Sequence, residues 1–166
     1  MATSDISSTQ LTNRDATPRV VSNSIIQKGA MQVSCGTVET LAADAIASIY
    51  RMVSVPSNAR VAQVLLSCDD LGSAGLADIG VYQTTANGGA VVDADHFASA
   101  QALTTALKNS DVTHGSAVYG LEDIEKPLWA ALGLSADSKR DYDICLTLTE
   151  AIIDAGTISM QVYYVI

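Results

Sequence analysis

The last quarter of the chain limits the fold more than any other part. From Tyr142 to Thr149 the residues alternate without a fault, with Tyr142, Ile144, Leu146 and Leu148 on one side. From Thr157 to Ile166 the pattern repeats, with Ile158, Met160, Val162, Tyr164 and Ile166 sharing a face. Period two is the mark of a strand with one face on a core; a helix would scatter the same side chains around its circumference. Two such strands cannot bury an apolar face by themselves, so a second layer must cover them.

Upstream segments supply that layer. Arg60–Cys68 places Ala62, Val64, Leu66 and Cys68 on one face, and Ala77–Gln83 places Ala77, Ile79 and Val81 inward. Asp69-Asp70-Leu71-Gly72 turns the chain between them. Asn87-Gly88 is a strong hairpin signal, because both residues tolerate positive φ, and Val91-Val92 begins a return strand. Ser48–Val55 is a further strand, with Ile49, Val53 and Val55 on one face, Arg51 interrupting it, and Pro56 ending it. Met31–Leu41 opens the β pattern; Met31, Val33 and Cys35 share a side, and Val38 takes the other parity after Gly36, which marks a bulge. Asp93–Ala106 is helix-compatible with Asp93 or Asp95 as N-cap, and Pro127–Leu134 has the punctuation of a short helix. Lys108–Gly120 reads as a loop with a short strand near Ala117–Tyr119. With six clear strands, one or two weaker ones and no sustained βαβ alternation, the expected fold is all-β: an antiparallel β-sandwich, jelly-roll-like, with one or two short helices. The body spans residues 31–166, and residues 1–30 form an extended N-terminal arm, polar and aperiodic.

Composition narrows the functional classes. The chain is 48% hydrophobic but only 16% charged, against roughly 25% in typical soluble domains, with small residues taking up the difference. That balance suits a protein packed against others. The net charge of -9 argues against nucleic acid as a partner, because phosphate binding needs clustered Lys and Arg. The charge is uneven: the arm carries Arg14, Arg19 and Lys28 against Asp5 and Asp15, and the remaining acidic excess lies in the body. No apolar run is long enough to span a membrane, and no signal peptide is read at the start. Cys35, Cys68 and Cys145 are widely spaced with no CxxC, so they are expected as buried free thiols in a reducing compartment.

No constellation carries chemistry. Asp93, Asp95 and His96 are the most ligand-like group, but their spacing fits no EF-hand loop and reads as a helix cap beside an exposed histidine. Asp69, Asp70 and Asp78 read as solvated turn residues. His96 and His114 are the two histidines, there is no GxSxG, and no phosphate loop follows the glycines. Trp129 reads as a hydrophobic plug over the end of the sandwich. The chain is therefore read as no enzyme, with no catalytic residues, cofactor or metal.

One stretch adds a likeness. VPSNARV (55–61), DDL (69–71), ADIGVY (77–82) and GGAVVDADHFASA (88–100), followed by LWAALGLSAD (128–137) and YDICLTLT (142–149), resemble small structural proteins of tailed bacteriophages. The resemblance covers roughly residues 45–165 and leaves the arm outside. It implies a virion component, assembled in the host cytoplasm: a capsid decoration or cement protein that binds the outside of the shell and ties capsomers together. Its implied partners are the major capsid protein and copies of itself, as a dimer or trimer. Within that reading, Arg14, Arg19, Ile25 and Ile26 of the arm are the candidate capsid-binding residues. A tail or head-fibre attachment domain and a carbohydrate-binding sandwich on the virion surface are the alternatives.

Overall fold

The computed structural model describes residues 6–21 and 23–166; residues 1–5 and 22 of the arm lie outside the described residues. Eight strands follow in order: β1 (Met31–Glu39), β2 (Ile49–Pro56), β3 (Arg60–Cys68), β4 (Leu76–Gln83), β5 (Val91–Ala102), β6 (Leu107–Asp111), β7 (Asp141–Glu150) and β8 (Thr157–Val165). They form two antiparallel four-stranded sheets, ordered β1-β8-β3-β6 and β2-β7-β4-β5. The pairing is palindromic: β1 with β8, β2 with β7, β3 with β6, β4 with β5. The chain is thus one long antiparallel ribbon, folded back at the β4–β5 turn and rolled until β8 meets β3 and β7 meets β4. Two sheets wound this way are a jelly roll, and the expected all-β sandwich is the fold found.

The alternating strands behave as their period dictates. Tyr142, Ile144, Leu146 and Leu148 of β7 and Ile158, Met160, Val162 and Tyr164 of β8 are all buried in the space between the sheets. The Asn-Gly turn joins β4 to β5 through a short 3-10 turn, Thr85–Asn87, with Gly88 at φ 98°. A short helix, α3 (Leu128–Ala131), closes one end. It is pinned to the β2–β3 turn by Leu128 N–H donating to Ala59 O (2.7 Å) and Trp129 N–H to Ser57 O (3.0 Å). The plug at that end is Leu128, at 1% exposure, while Trp129 lies half-buried beside it.

Several expectations are corrected. The helix expected over Asp93–Ala106 is strand β5 and the turn after it. Its pairing with β4 shifts register three times, and each shift breaks the period-two signal. β6 emerges from the segment read as a loop; among Leu107–Asp111 only Leu107 is apolar, which leaves an edge strand nothing to alternate. No strand forms at Ala117–Tyr119, although Tyr119 itself is buried, its hydroxyl donating to Val61 O (2.7 Å). In β2, Ile49 is exposed, and a register shift at Arg51/Val53 brings Met52 and Val53 inward together. The described arm is not extended throughout. It holds α1 (Thr9–Asp15) and α2 (Ser24–Lys28), whose N-caps are Ser8, accepting from Leu11 N–H, and Asn23, accepting from Ile25 N–H. Its Ser and Asn residues stop and start helices, and neither helix has a buried residue.

Strand β1 holds no bulge. Its register with β8 runs unbroken from Met31–Val165 to Glu39–Thr157. Ser34, Gly36 and Val38 face inward, while Met31, Val33 and Cys35 are exposed, so Cys35 is not the buried thiol expected. The apparent change of parity at Gly36 arises because the outer face of this strand is itself apolar. Gly36 is required for a different reason. A Cβ there would collide with the carbonyl oxygen of Met52, because β1 and β2 close one side of the sandwich in backbone contact. Gly36→Ala should therefore cost roughly 1–3 kcal/mol of stability in urea unfolding, as overpacking typically does, whereas Thr37→Ala on the exposed face should change it by under about 0.5 kcal/mol.

Candidate functional site

The four arm residues divide into two groups. Arg14 ends α1 and makes a two-pronged ion pair with its neighbour Asp15 (Nε–Oδ1 2.7 Å, Nη2–Oδ2 2.8 Å), both side chains more than half exposed. Arg14 and Arg19 line an open cleft of about 420 Å³ together with Val21, Ser24, Gln27 and Lys28. Lys28 is not among the expected residues; it joins them where the chain folds back after α1, with Val20 N–H donating to Asn13 O (3.2 Å). Ile25 and Ile26 line a different cleft, of about 340 Å³, with Met31, Arg60, Ile124 and Val165. They are half-buried against the end of the body. The isoleucines thus seat α2, and the basic residues are left facing outward.

The acidic clusters of the body are occupied by the fold. Asp69 Oδ2 accepts from Thr157 N–H (2.9 Å), Asp70 Oδ1 from Gly72 N–H (3.0 Å) and Asp78 Oδ1 from Ala100 N–H (2.8 Å). Each carboxylate fixes a turn or bulge. Among the described residues no group of three His, Cys, Asp or Glu side chains is placed to hold a metal ion, and no helix is long and apolar enough to cross a membrane. A cleft of about 280 Å³ lined by Gln83, Asn87, Ser138, Arg140 and Asp141 contains neither histidine nor cysteine. Burial pushes the Cys145 thiol up to about 12 and raises that of Cys68, which leaves both as thiols at neutral pH.

His96 is the group least like its expectation. It is fully buried on β5, its Nδ1 2.8 Å from Asp93 Oδ2, and its ring packs near Phe97 and Tyr119. Its Nε2 has no hydrogen-bond partner. Burial lowers its pKa, opposed by Asp93 and, more weakly, by Asp123 and Asp95.

Comparison with protein families finds no match, and comparison with curated proteins finds none. Among solved structures, a chain in the cyanophage Pam1 capsid asymmetric unit aligns with a TM-score of 0.50 at 17% identity, covering 83% of this chain and 86% of that chain. A chain in the capsid of Ralstonia phage GP4 aligns with a TM-score of 0.48 at 15% identity, covering 82% and 84%. At 17% identity the first of these likenesses is one of fold, over 83% of this chain.

The buried imidazole gives a pH dependence with a definite sign. Below about pH 6.5 the unfolded chain takes up a proton that folded His96 resists, so stability falls as pH drops from 7 to 5, by at most about 1.4 kcal/mol per pH unit from this group. Carboxylates held below their usual range, such as Asp44 beside Tyr50 and Asp137 beside Ser57, act only near pH 4 and lower. Urea unfolding at pH 7, 6 and 5 should show this slope in the native chain and a flatter one in His96→Gln, which retains His114.

Proposed function

We propose that this chain is a phage capsid decoration protein, which binds the outside of the shell through its N-terminal arm and stabilises contacts between capsomers. The observation that carries the reading is a complete jelly-roll body preceded by an arm with no buried residue in its helices and three basic side chains around one open cleft. The body needs none of that segment for its core, so the arm is free to serve a partner. The match to a chain in a cyanophage capsid over 83% of this chain supports the same reading, as does the sequence likeness to phage structural proteins. A low proportion of charge and many small polar side chains suit close packing on another protein. Repetition over a symmetric shell lets a modest contact at each site add up to firm attachment.

The arm supplies two kinds of contact. Exposed Leu11, Val20 and Val21 offer apolar area, and Arg14, Arg19 and Lys28 offer charge-assisted hydrogen bonds to acceptors on the shell. Removing residues 1–28 should abolish co-sedimentation with capsids that lack this protein. The melting temperature of the shortened chain should stay within a few degrees of the full one. Arg14→Ala with Arg19→Ala should weaken binding at least tenfold, and the deficit should shrink as salt is raised. Undiminished binding of the shortened chain would exclude the arm as the anchor.

A further inference from the structure

We propose that residues 112–126 form a strap that opens when His96 beneath it is protonated, and that its opening loosens the seat of helix α2. The sandwich has two long sides. Along one, β1 and β2 stand in backbone contact at Gly36. Along the other the sheets end at β6 and β5, and the strap crosses between them. Val112 N–H donates to Val64 O on β3 (2.9 Å), and Thr113 Oγ1 accepts from Val64 N–H (2.8 Å). Ser116 N–H then donates to Phe97 O (3.0 Å) and Tyr119 N–H to His96 O (3.1 Å), both on β5. Tyr119 returns to the first sheet through its hydroxyl, which donates to Val61 O (2.7 Å). One residue thus ties both sheets, and the His96 ring lies 5.4 Å from the Tyr119 ring, centre to centre.

The imidazole supplies the trigger. Its Nδ1–H donates to Asp93 Oδ2 (2.8 Å), so in the neutral ring Nε2 is a bare acceptor. Protonation puts an N–H at Nε2, where the buried ring meets no hydrogen-bond partner among the described residues. A buried donor without an acceptor favours the state in which water reaches it. Asp93 and Asp95 on β5 and Asp123 near the end of the strap favour the charged ring, but burial outweighs them. Lys126 pairs with Asp123 (2.6 Å), and His114 stacks on the Tyr119 ring with Nδ1 3.0 Å from Tyr119 O. β5 is paired with β4, whereas residues 114–118 lie outside the eight strands and are mostly exposed, so the strap is the part that yields. Its far end is the 3-10 turn Leu121–Glu125. Ile124 and Glu125 of that turn line the cleft that also holds Ile25 and Ile26 of α2. Opening therefore disturbs one wall of that seat. The turn keeps a further tie, Arg60 Nε–H donating to Glu125 O (3.0 Å), so α2 is loosened and not set free. The device is independent of the capsid reading.

Hydrogen exchange of the full chain, corrected for the intrinsic rate at each pH, reads the strap directly. Between pH 7 and pH 5 the amides of Ser116 and Tyr119 should lose protection roughly tenfold, because a proton bound only in the open state shifts the equilibrium by up to about tenfold per pH unit below about pH 6.5. The amides of β7 and β8 should keep theirs. Trypsin cleavage after Lys28, normalised to a free peptide of the same sequence, should speed up over the same range. His96→Gln should flatten both responses, and His114→Gln should leave them intact. Tyr119→Phe, which gives up the bond to Val61 O, should loosen the strap already at pH 7, and it decides the matter should His96→Gln fail to fold. Unchanged strap protection at pH 5, an equal loss in β7 and β8, or tight protection in Tyr119→Phe would overturn the proposal. So would a response that survives His96→Gln or vanishes in His114→Gln. An open strap with an unchanged rate of cleavage at Lys28 would overturn its link to α2.

Discussion

Everything in the body depends on where β7 and β8 lie. Each is an interior strand of its sheet: β8 between β1 and β3, β7 between β2 and β4. Their apolar faces belong to one core, Ile144, Leu146 and Leu148 from β7 together with Ile158, Met160 and Val162 from β8. The rest of the ribbon pairs outward from them, and a slip of one residue in either would turn its apolar face to solvent. Because β8 pairs with both β1 and β3, it joins segments distant in sequence, with paired residues separated by 90 positions at Cys68–Ile158 and by 134 at Met31–Val165. Strands β1 and β2 therefore have no sheet partner until the last quarter of the chain is in place, a topology of high contact order.

This is also why the legible part of the sequence was legible. β7, β8, β4 and much of β3 each lie between two neighbours and bury one face, so period two survives in their residues. Legibility failed at the edges. β5 conceals its period behind bulges, and β6 has too few apolar residues to show one. β1 misled in the opposite sense, since Met31, Val33 and Cys35 alternate on the face that points to solvent. The short helices of the arm were announced only by Ser8 and Asn23, isolated caps within a stretch whose polar composition reads as extended. His96 was misplaced together with β5. Read on a helix it is an exposed neighbour of a cap, but read on a strand it falls inside, beside Phe97 and Tyr119.

The candidate site shows the same division. That the first thirty residues carry Arg14, Arg19 and Lys28 could be seen directly from the sequence. That Arg14 and Arg19 share a cleft with Lys28, while Ile25 and Ile26 sit against the body, required the turn between α1 and α2. The acids that first draw attention in a chain of net charge -9 are mostly structural. Asp69, Asp70, Asp78 and Asp93 hold backbone or ring hydrogens and fix the turns of the ribbon. The basic side chains of the arm, Arg14, Arg19 and Lys28, line an open cleft, on a body whose core draws on no residue of the arm.

A protein built to decorate a shell must be present in proportion to that shell. Quantitative staining of purified virions, with this chain measured against the major capsid protein, reads that proportion directly. The account predicts a fixed ratio amounting to hundreds of copies per particle. A few copies per particle would place the chain at a tail or fibre attachment point, and its absence from the particle would remove it from the virion altogether; either result would contradict the decoration reading.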